Sequence, residues 1–374
     1  MTSVWSRVGL ALALAGLTQI GAAAPKPAAK PQSSKPAPSN APPRLVQPAT
    51  QAAPKIPQAP AYLRDRITSL GRQFDGQVGI AVRSVDSGWS AGWKADELNP
   101  QQSVSKLWVS ITALDAVDKG KVSLNDKVTL TKTDLTLFHQ PIRSKVLGGG
   151  YTTTLSDLMY EALTKSDNTA NDKLMRSIGG PKAVRAMIAA KGLGAIRFFD
   201  GERSLQSKIA GLTWSQSYSI GNAFFAARNA LPMALRRAAF NRYIEDPYDG
   251  AAASAIVAAL ARLKRGELLS PSSTARLLRI MGNTKTGPNR LKGGLKPGWS
   301  LSHKTGTGQV LGPVQAGYND IGILTAPDGK SYSVAVMIKK TSTPLATRMT
   351  LMNNVVKAVI QQHEMTQAAT ARAL

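Results

Sequence analysis

Ser103 and Lys106 stand three residues apart in QQSVSKLWVSITALDAVDKG (101–120), where an extended stretch gives way to a helical one. Backbone N–H groups at a helix start can stabilise an oxyanion, and residues three apart share a helix face, so this lysine comes within hydrogen-bond reach of the serine hydroxyl. That is the arrangement of a nucleophile with its base. The plain alternative is a capping serine beside a solvated lysine. Further along, TKSDNTAND (164–172) sets Ser166, Asp167 and Asn168 in a break between two helical stretches. A loop there holds a hydroxyl and an amide, which read alone is also ordinary turn and capping chemistry. A third cluster, Lys304-Thr305-Gly306-Thr307-Gly308, ends an apolar-alternating strand, where glycine lets a ligand approach the backbone. Lys285-Thr286-Gly287 repeats three of those residues but precedes Pro288 in a loop with no strand before it, and it is assigned no chemistry.

The elements that must position these groups follow a regular order. YLRDRITSLGRQF (62–74) carries apolar residues at helical spacing, and VGIAVRSVDSGWSAGW (78–93) reads as two strands joined around Asp86-Ser87-Gly88. A long, mostly helical middle follows, in which Thr154 and Asp157 form a helix-start capping pair. A strand over SLSHKTGTG, a second hairpin turning at Pro327-Asp328-Gly329 and a last helix from about Leu345 to His363 close the chain. Strands at both ends around a helical middle predict a mixed α/β (α+β) fold. Its antiparallel sheet is flanked by the two terminal helices, with an all-helical lobe inserted between the second and third strands.

Composition narrows the function. With 374 residues, 43% of them hydrophobic, the chain can bury a sizeable core. Its net charge of +25 suits an anionic neighbour such as the cell envelope, but the charge is scattered with no aromatic-interleaved basic run, so nucleic acid is not the expected partner. There is no cysteine, and the three histidines, at 139, 303 and 363, lack metal-ligand spacing, which argues against a zinc hydrolase, a Ser-His-Asp enzyme or any metal or cofactor. Arg7, the apolar run from Val8 to Ile20 and the small residues GAAA have the order of an export signal over 1–23. Residues 24–61, rich in Pro and Ala, read as a disordered linker, and 62–374 as the catalytic domain.

Ser-x-x-Lys opening a helix, Ser-x-Asn between helices and Lys-Thr-Gly on a late strand, in that order, are the signatures of penicillin-recognising serine enzymes. From about Tyr62 to His363 the chain resembles the class A serine β-lactamases, particularly their extended-spectrum branch, in QQSVSKL, VDKGKVSLNDKV, SDNTAND, LLSPSSTARLLRIMGNTKTGPNRLKGGLKPGW and SHKTGTG. The resemblance implies a β-lactamase/transpeptidase-like fold and a monomeric, periplasmic enzyme that hydrolyses β-lactams. It implies Ser103 as nucleophile, Lys106 as its proton partner and Ser166 as proton donor to the leaving nitrogen. Asn168 would hold the substrate side-chain amide, while Lys304, Thr305, Thr307 and Arg290 would receive its carboxylate. The backbone N–H groups of Ser103 and Thr307 would form the oxyanion hole. Phe138 would be an aromatic wall at the entrance or else a core residue.

Glu202, in FFDGERSLQ (198–206), corresponds to the carboxylate that activates the deacylating water, with a plain surface charge as the alternative. Two departures stand out: Gln206 replaces the usual Asn, and the segment before Glu202 is one residue short. A surplus between about 209 and 249, basic and helical in pattern, reads as an extra packing layer rather than a lid or a membrane-surface helix. A D-alanyl-D-alanine peptidase, which needs no Glu202, and a non-catalytic cationic cell-wall-binding protein are the competing functions.

Overall fold

The computed structural model describes residues 57–373. The expected export signal and the linker up to residue 56 lie outside them. Alternation and turn chemistry build the sheet. QVGIAVRS forms β1 (Gln77–Ser84) and SAGW forms β2 (Ser90–Trp93), with Gly88 at φ +79° in the turn between them. Late in the chain come β3 (Ser300–Thr307), the short β4 (Val310–Leu311), β5 (Val314–Thr325) and β6 (Ser331–Thr341). The antiparallel order is β2-β1-β6-β5-β3, with β4 paired to β5. The first strands therefore lie beside the last, Val82 opposite Val334, and this closure brings residues from both ends of the domain to one site.

Both faces of the sheet are covered, as the buried runs of β5 and β6 require. On one face lie the terminal helices Ala61–Gln73 and Leu345–Ala373; Leu63, Ile67 and Val355 are buried there against Val334 and Val336. The last helix outruns its expected end at His363. The residues that follow are Ala-rich and contain neither Gly nor Pro, so nothing stops it. The other face carries the inserted lobe around the helix Lys106–Asp118, which is buried from Lys106 to Asp115 and so has no solvent face. The Thr154 and Asp157 capping box forms as expected at the head of Leu155–Thr164. The lobe is not all-helical. Lys127–Leu130 pairs with Tyr151–Thr154, and Leu98–Asn99 with Ala251–Ala252, ladders too short for alternation to show in the sequence. Among the described residues no helix is long and apolar enough to cross a membrane.

Candidate active site

A single tight turn presents Ser103. Gln102–Ser105 is a 3-10 turn running straight into the helix Lys106–Asp118, so Ser103 stands just ahead of the α-helix rather than on its first residue. Gln102 is held at φ +54°, an uncommon conformation for a residue with a side chain, and five long-range hydrogen bonds hold the turn in it. The Asp249 carboxylate accepts the Gln102 N–H at 2.7 Å. The Gln101 side-chain amide donates to the carbonyls of Arg197 (2.8 Å) and Asp249 (2.5 Å). The Asn319 side-chain amide donates to the carbonyls of Pro100 (2.7 Å) and Gln101 (3.1 Å). A Cβ on Gly306 would meet the Gln101 carbonyl at 2.3 Å, and one on Gly308 the Ala316 carbonyl at 1.7 Å. These glycines thus admit the protein's own backbone, and Gly308 at the same time lines the cavity.

Lys106, with no exposed surface, gathers the catalytic candidates. Its Nζ donates to Ser103 Oγ at 2.6 Å, to Asn168 Oδ1 at 2.9 Å and to Glu202 Oε1, so three N–H groups meet three acceptors. The Ser-Asp-Asn segment divides its labour. Asp167 caps the helix Asn168–Ser177 through the Ala170 N–H, while its neighbours on either side face the cavity. Ser166, at φ +61°, accepts from Lys304 Nζ at 2.9 Å, and Asn168 Nδ2 donates to the Leu137 carbonyl at 2.8 Å. Burial, reinforced by the Lys106 cation, pushes the Lys304 ammonium well below the usual lysine range.

Glu202 begins the helix Glu202–Ile209 behind Gly201, which has no side chain to cap it. The cap comes from a distance. The Asp172 carboxylate accepts the N–H groups of Glu202 (3.0 Å) and Arg203 (3.4 Å), and burial together with the nearby Glu202 raises its own pKa. Gln206 Nε2 donates to Glu202 Oε2 at 3.2 Å and to Gln102 Oε1 at 3.0 Å, while Gln309 Nε2 donates to Gln206 Oε1 at 3.0 Å. The longer amide at 206 therefore grips the carboxylate directly. The whole segment is a loop closed at its neck: Ile196 bridges Ala251, and the Arg197 N–H donates to the Gly250 carbonyl at 2.8 Å. Tyr243 and Asp249 fasten it to Gln102, with Tyr243 Oη donating to Asp249 Oδ1 at 2.9 Å and accepting from Gln102 Nε2 at 2.5 Å. Burial pushes the Asp249 carboxyl up to about 7 against those hydrogen bonds.

The cavity in front of these groups measures about 700 Å³. Ser103, Ser166, Asn168, Glu202, Thr305, Thr307, Arg290 and Phe138 line it, and Lys106 and Lys304 are fully buried behind it, so all ten candidates converge. Phe138 is 42% exposed with its backbone at φ +60°, which puts it at the mouth rather than in the core. Arg290 is mostly engaged by the protein. It donates to the carbonyls of Gly306 (3.0 Å) and Asn319 (2.7 Å) and to Thr307 Oγ1 (2.6 Å), and stacks 3.8 Å over Tyr318. Thr286 and Gly287, assigned no chemistry from sequence, also line the cavity, and the Thr286 and Thr305 hydroxyls are hydrogen-bonded at 2.6 Å. That pairing is made by the fold, which lays the loop against β3, and has no local signal. Gln309, Asp249 and Tyr243 are equally invisible, because their partners, Gln206 for the first and Gln102 for the other two, lie 103, 147 and 141 positions away.

A family model described as the beta-lactamase enzyme family matches residues 62–363. The chain is 27% identical to the extended-spectrum beta-lactamase PER-1 of Pseudomonas aeruginosa over 80% of its own length and 86% of the relative's. It is 26% identical to beta-lactamase VEB-1 of the same species, over 73% and 81%. Among solved structures, a beta-lactamase of Chitinophaga pinensis superposes with a TM-score of 0.66 at 26% identity, covering 80% of this chain and 99% of that one. An ancestral class A beta-lactamase gives a TM-score of 0.65 at 28% identity, over 80% and 99%.

Proposed function

Since the chain belongs to the beta-lactamase enzyme family, we propose that it opens the β-lactam amide through an acyl-enzyme on Ser103 that Glu202 then clears with water. The observation that carries this reading is Lys106 Nζ bridging Ser103 Oγ, Asn168 Oδ1 and Glu202 in one buried cluster. An ammonium with all three hydrogens engaged cannot accept a proton. Passing one proton from Lys106 to Glu202 leaves a neutral amine beside the serine hydroxyl, and that amine takes the hydroxyl proton as Oγ attacks the lactam carbonyl. Water relayed from Glu202 is the other route, and both begin from the same pair. The backbone N–H groups of Ser103 and Thr307 receive the oxyanion. As the C–N bond breaks, Ser166, held by Lys304, delivers a proton to the leaving nitrogen; the proton that Lys106 took from Ser103 replaces it, and Glu202 hands its own proton back to Lys106, which restores the carboxylate.

In the second half, Glu202 accepts a proton from water, the water oxygen attacks the ester carbonyl, and the bond to Ser103 Oγ breaks as the serine regains its proton. Gln206 fixes the carboxylate that must do this. On the substrate, Asn168 takes the side-chain amide, and the wall of Lys304, Thr305 and Thr307, ordered by Arg290, takes the carboxylate. Export by the segment 1–23 puts the chemistry in the periplasm, with the basic surface near the anionic envelope. Hydrolysis of a chromogenic cephalosporin by the purified mature chain tests the function, and failure to turn over any β-lactam defeats it.

A further inference from the structure

The helix Ala223–Ala230 belongs to the closed loop that carries Glu202, yet the reaction above uses none of its residues. It contributes Phe225 and Arg228 to the wall of the same cavity. The Arg228 guanidinium lies 5.1 Å from the Phe225 ring centre, and the Phe225 and Phe138 rings are 6.2 Å apart. Phe138 follows Leu137, whose carbonyl holds the Asn168 amide, while Gln309, on the adjoining stretch of wall, donates to Gln206. Arg228 therefore belongs to the half of the cavity bounded by Asn168, Phe138 and Gln206. It stands on a different element from the Lys304 and Arg290 wall.

Arg228 is also electrostatically unsatisfied. Among the described residues no carboxylate pairs with it, and its buried Nε has no hydrogen-bond partner. Its charged neighbour is another cation, Arg236, which meets it beside Gln309 and Val310 in a small recess next to the cavity. Burial and that like charge hold the guanidinium below its usual range. An anion at this point would gain charge-assisted hydrogen bonds and relieve the repulsion, without competing with an internal ion pair.

Resting on the hydrolase reading above, we infer that Arg228, backed by Arg236, forms an anion subsite for a carboxylate on the acyl side chain of the β-lactam, with Phe138 and Phe225 taking the side chain's ring. Benzylpenicillin and its α-carboxy derivative differ by that one carboxylate. The ratio of their kcat/KM values, α-carboxy over parent penicillin, cancels what the two share, including the ring carboxylate.

In the unaltered full chain the ratio should fall as salt is raised, because the extra attraction is screened. In Arg228→Gln it should drop about tenfold, as expected for one partly buried charge-assisted contact, and Arg228→Lys should recover part of the loss. A salt-independent ratio in the unaltered chain, or one that Arg228→Gln leaves in place, would overturn the subsite while leaving β-lactam hydrolysis standing. Absence of turnover of both penicillins in the unaltered chain would overturn the hydrolase reading and the subsite with it.

Discussion

Removing the Arg290 guanidinium takes three donors out of a buried wall. Its two carbonyl partners, Gly306 and Asn319, face each other across β3 and β5, and its third partner is the Thr307 hydroxyl. The two carbonyls keep their places in the strand ladder, so Arg290→Ala loses charge-assisted hydrogen bonds and the stacking on Tyr318 rather than orphaning the acceptors, and should destabilise the domain by about 2–4 kcal/mol. For a domain of this size that lowers Tm by several degrees. The effect on catalysis follows from the same geometry. Because Arg290 donates to Thr307 Oγ1, the threonine hydrogen is left free to meet the substrate carboxylate; without the arginine it can turn away. We expect kcat/KM to fall about ten- to a hundredfold, mainly through KM, equivalent to about 1.4–2.8 kcal/mol. Arg290→Lys separates fork from charge: a lysine restores the cation but cannot reach both carbonyls and the hydroxyl from one rigid plane. Thermal unfolding and steady-state kinetics on a cephalosporin read both quantities. Parental kcat/KM in Arg290→Lys would refute the positioning argument and leave only a point charge.

Three further predictions follow from the same network. Ser103→Ala should abolish cephalosporin hydrolysis with little change in Tm, since Lys106 keeps Asn168 and Glu202 as acceptors; residual turnover near the parental rate would remove Ser103 from the reaction. Gln206→Asn shortens an amide that now spans Glu202 and Gln102, and kcat should be kept or raised as room opens for water beside the carboxylate; a tenfold fall would mean that the longer reach is needed to hold Glu202. Asp249 titrates at about 7 in the fold against about 4 in an unfolded chain, so between those values the folded state holds a proton that the unfolded state has lost. Its contribution is full below about pH 4 and is lost as pH rises through about 7, at up to about 1.4 kcal/mol per pH unit. Asp249→Asn should therefore flatten the decline of Tm between about pH 4 and pH 7, and parallel profiles for the two proteins would contradict this.

How much of this could be read in advance depended on the range of each signal. The hairpins at 86–88 and 327–329 and the capping box at Thr154 are local, and they stand where the sequence put them. Ser103 and Lys106 were legible because their spacing within one turn already brings them together. Asp167 shows the opposite side of the same rule: its capping role is ordinary, and it hid the fact that Ser166 and Asn168, on either side, face the cavity. The second demand on Gly306 and Gly308, close backbone from Gln101 and Ala316, is a packing fact with no trace in the motif. Thr286 has no strand before it to mark it, and its contact is made through β3 at Thr305. The fully buried carboxylate of Asp249 carries no periodic signal at all, and its purpose emerges only when the loop closes at 196–251 and reaches Gln102.

The central claim is that an ester forms on Ser103 and that Glu202 removes it. Glu202→Gln keeps the shape of the side chain but cannot take the proton of water. Intact-mass spectrometry after brief exposure of this variant to a penicillin, which loses no group on acylation, should show a persistent increase equal to the mass of the whole substrate. Peptide mapping should place it on the fragment that contains Ser103. An adduct that vanishes at the parental rate, or one that maps elsewhere, would contradict the account.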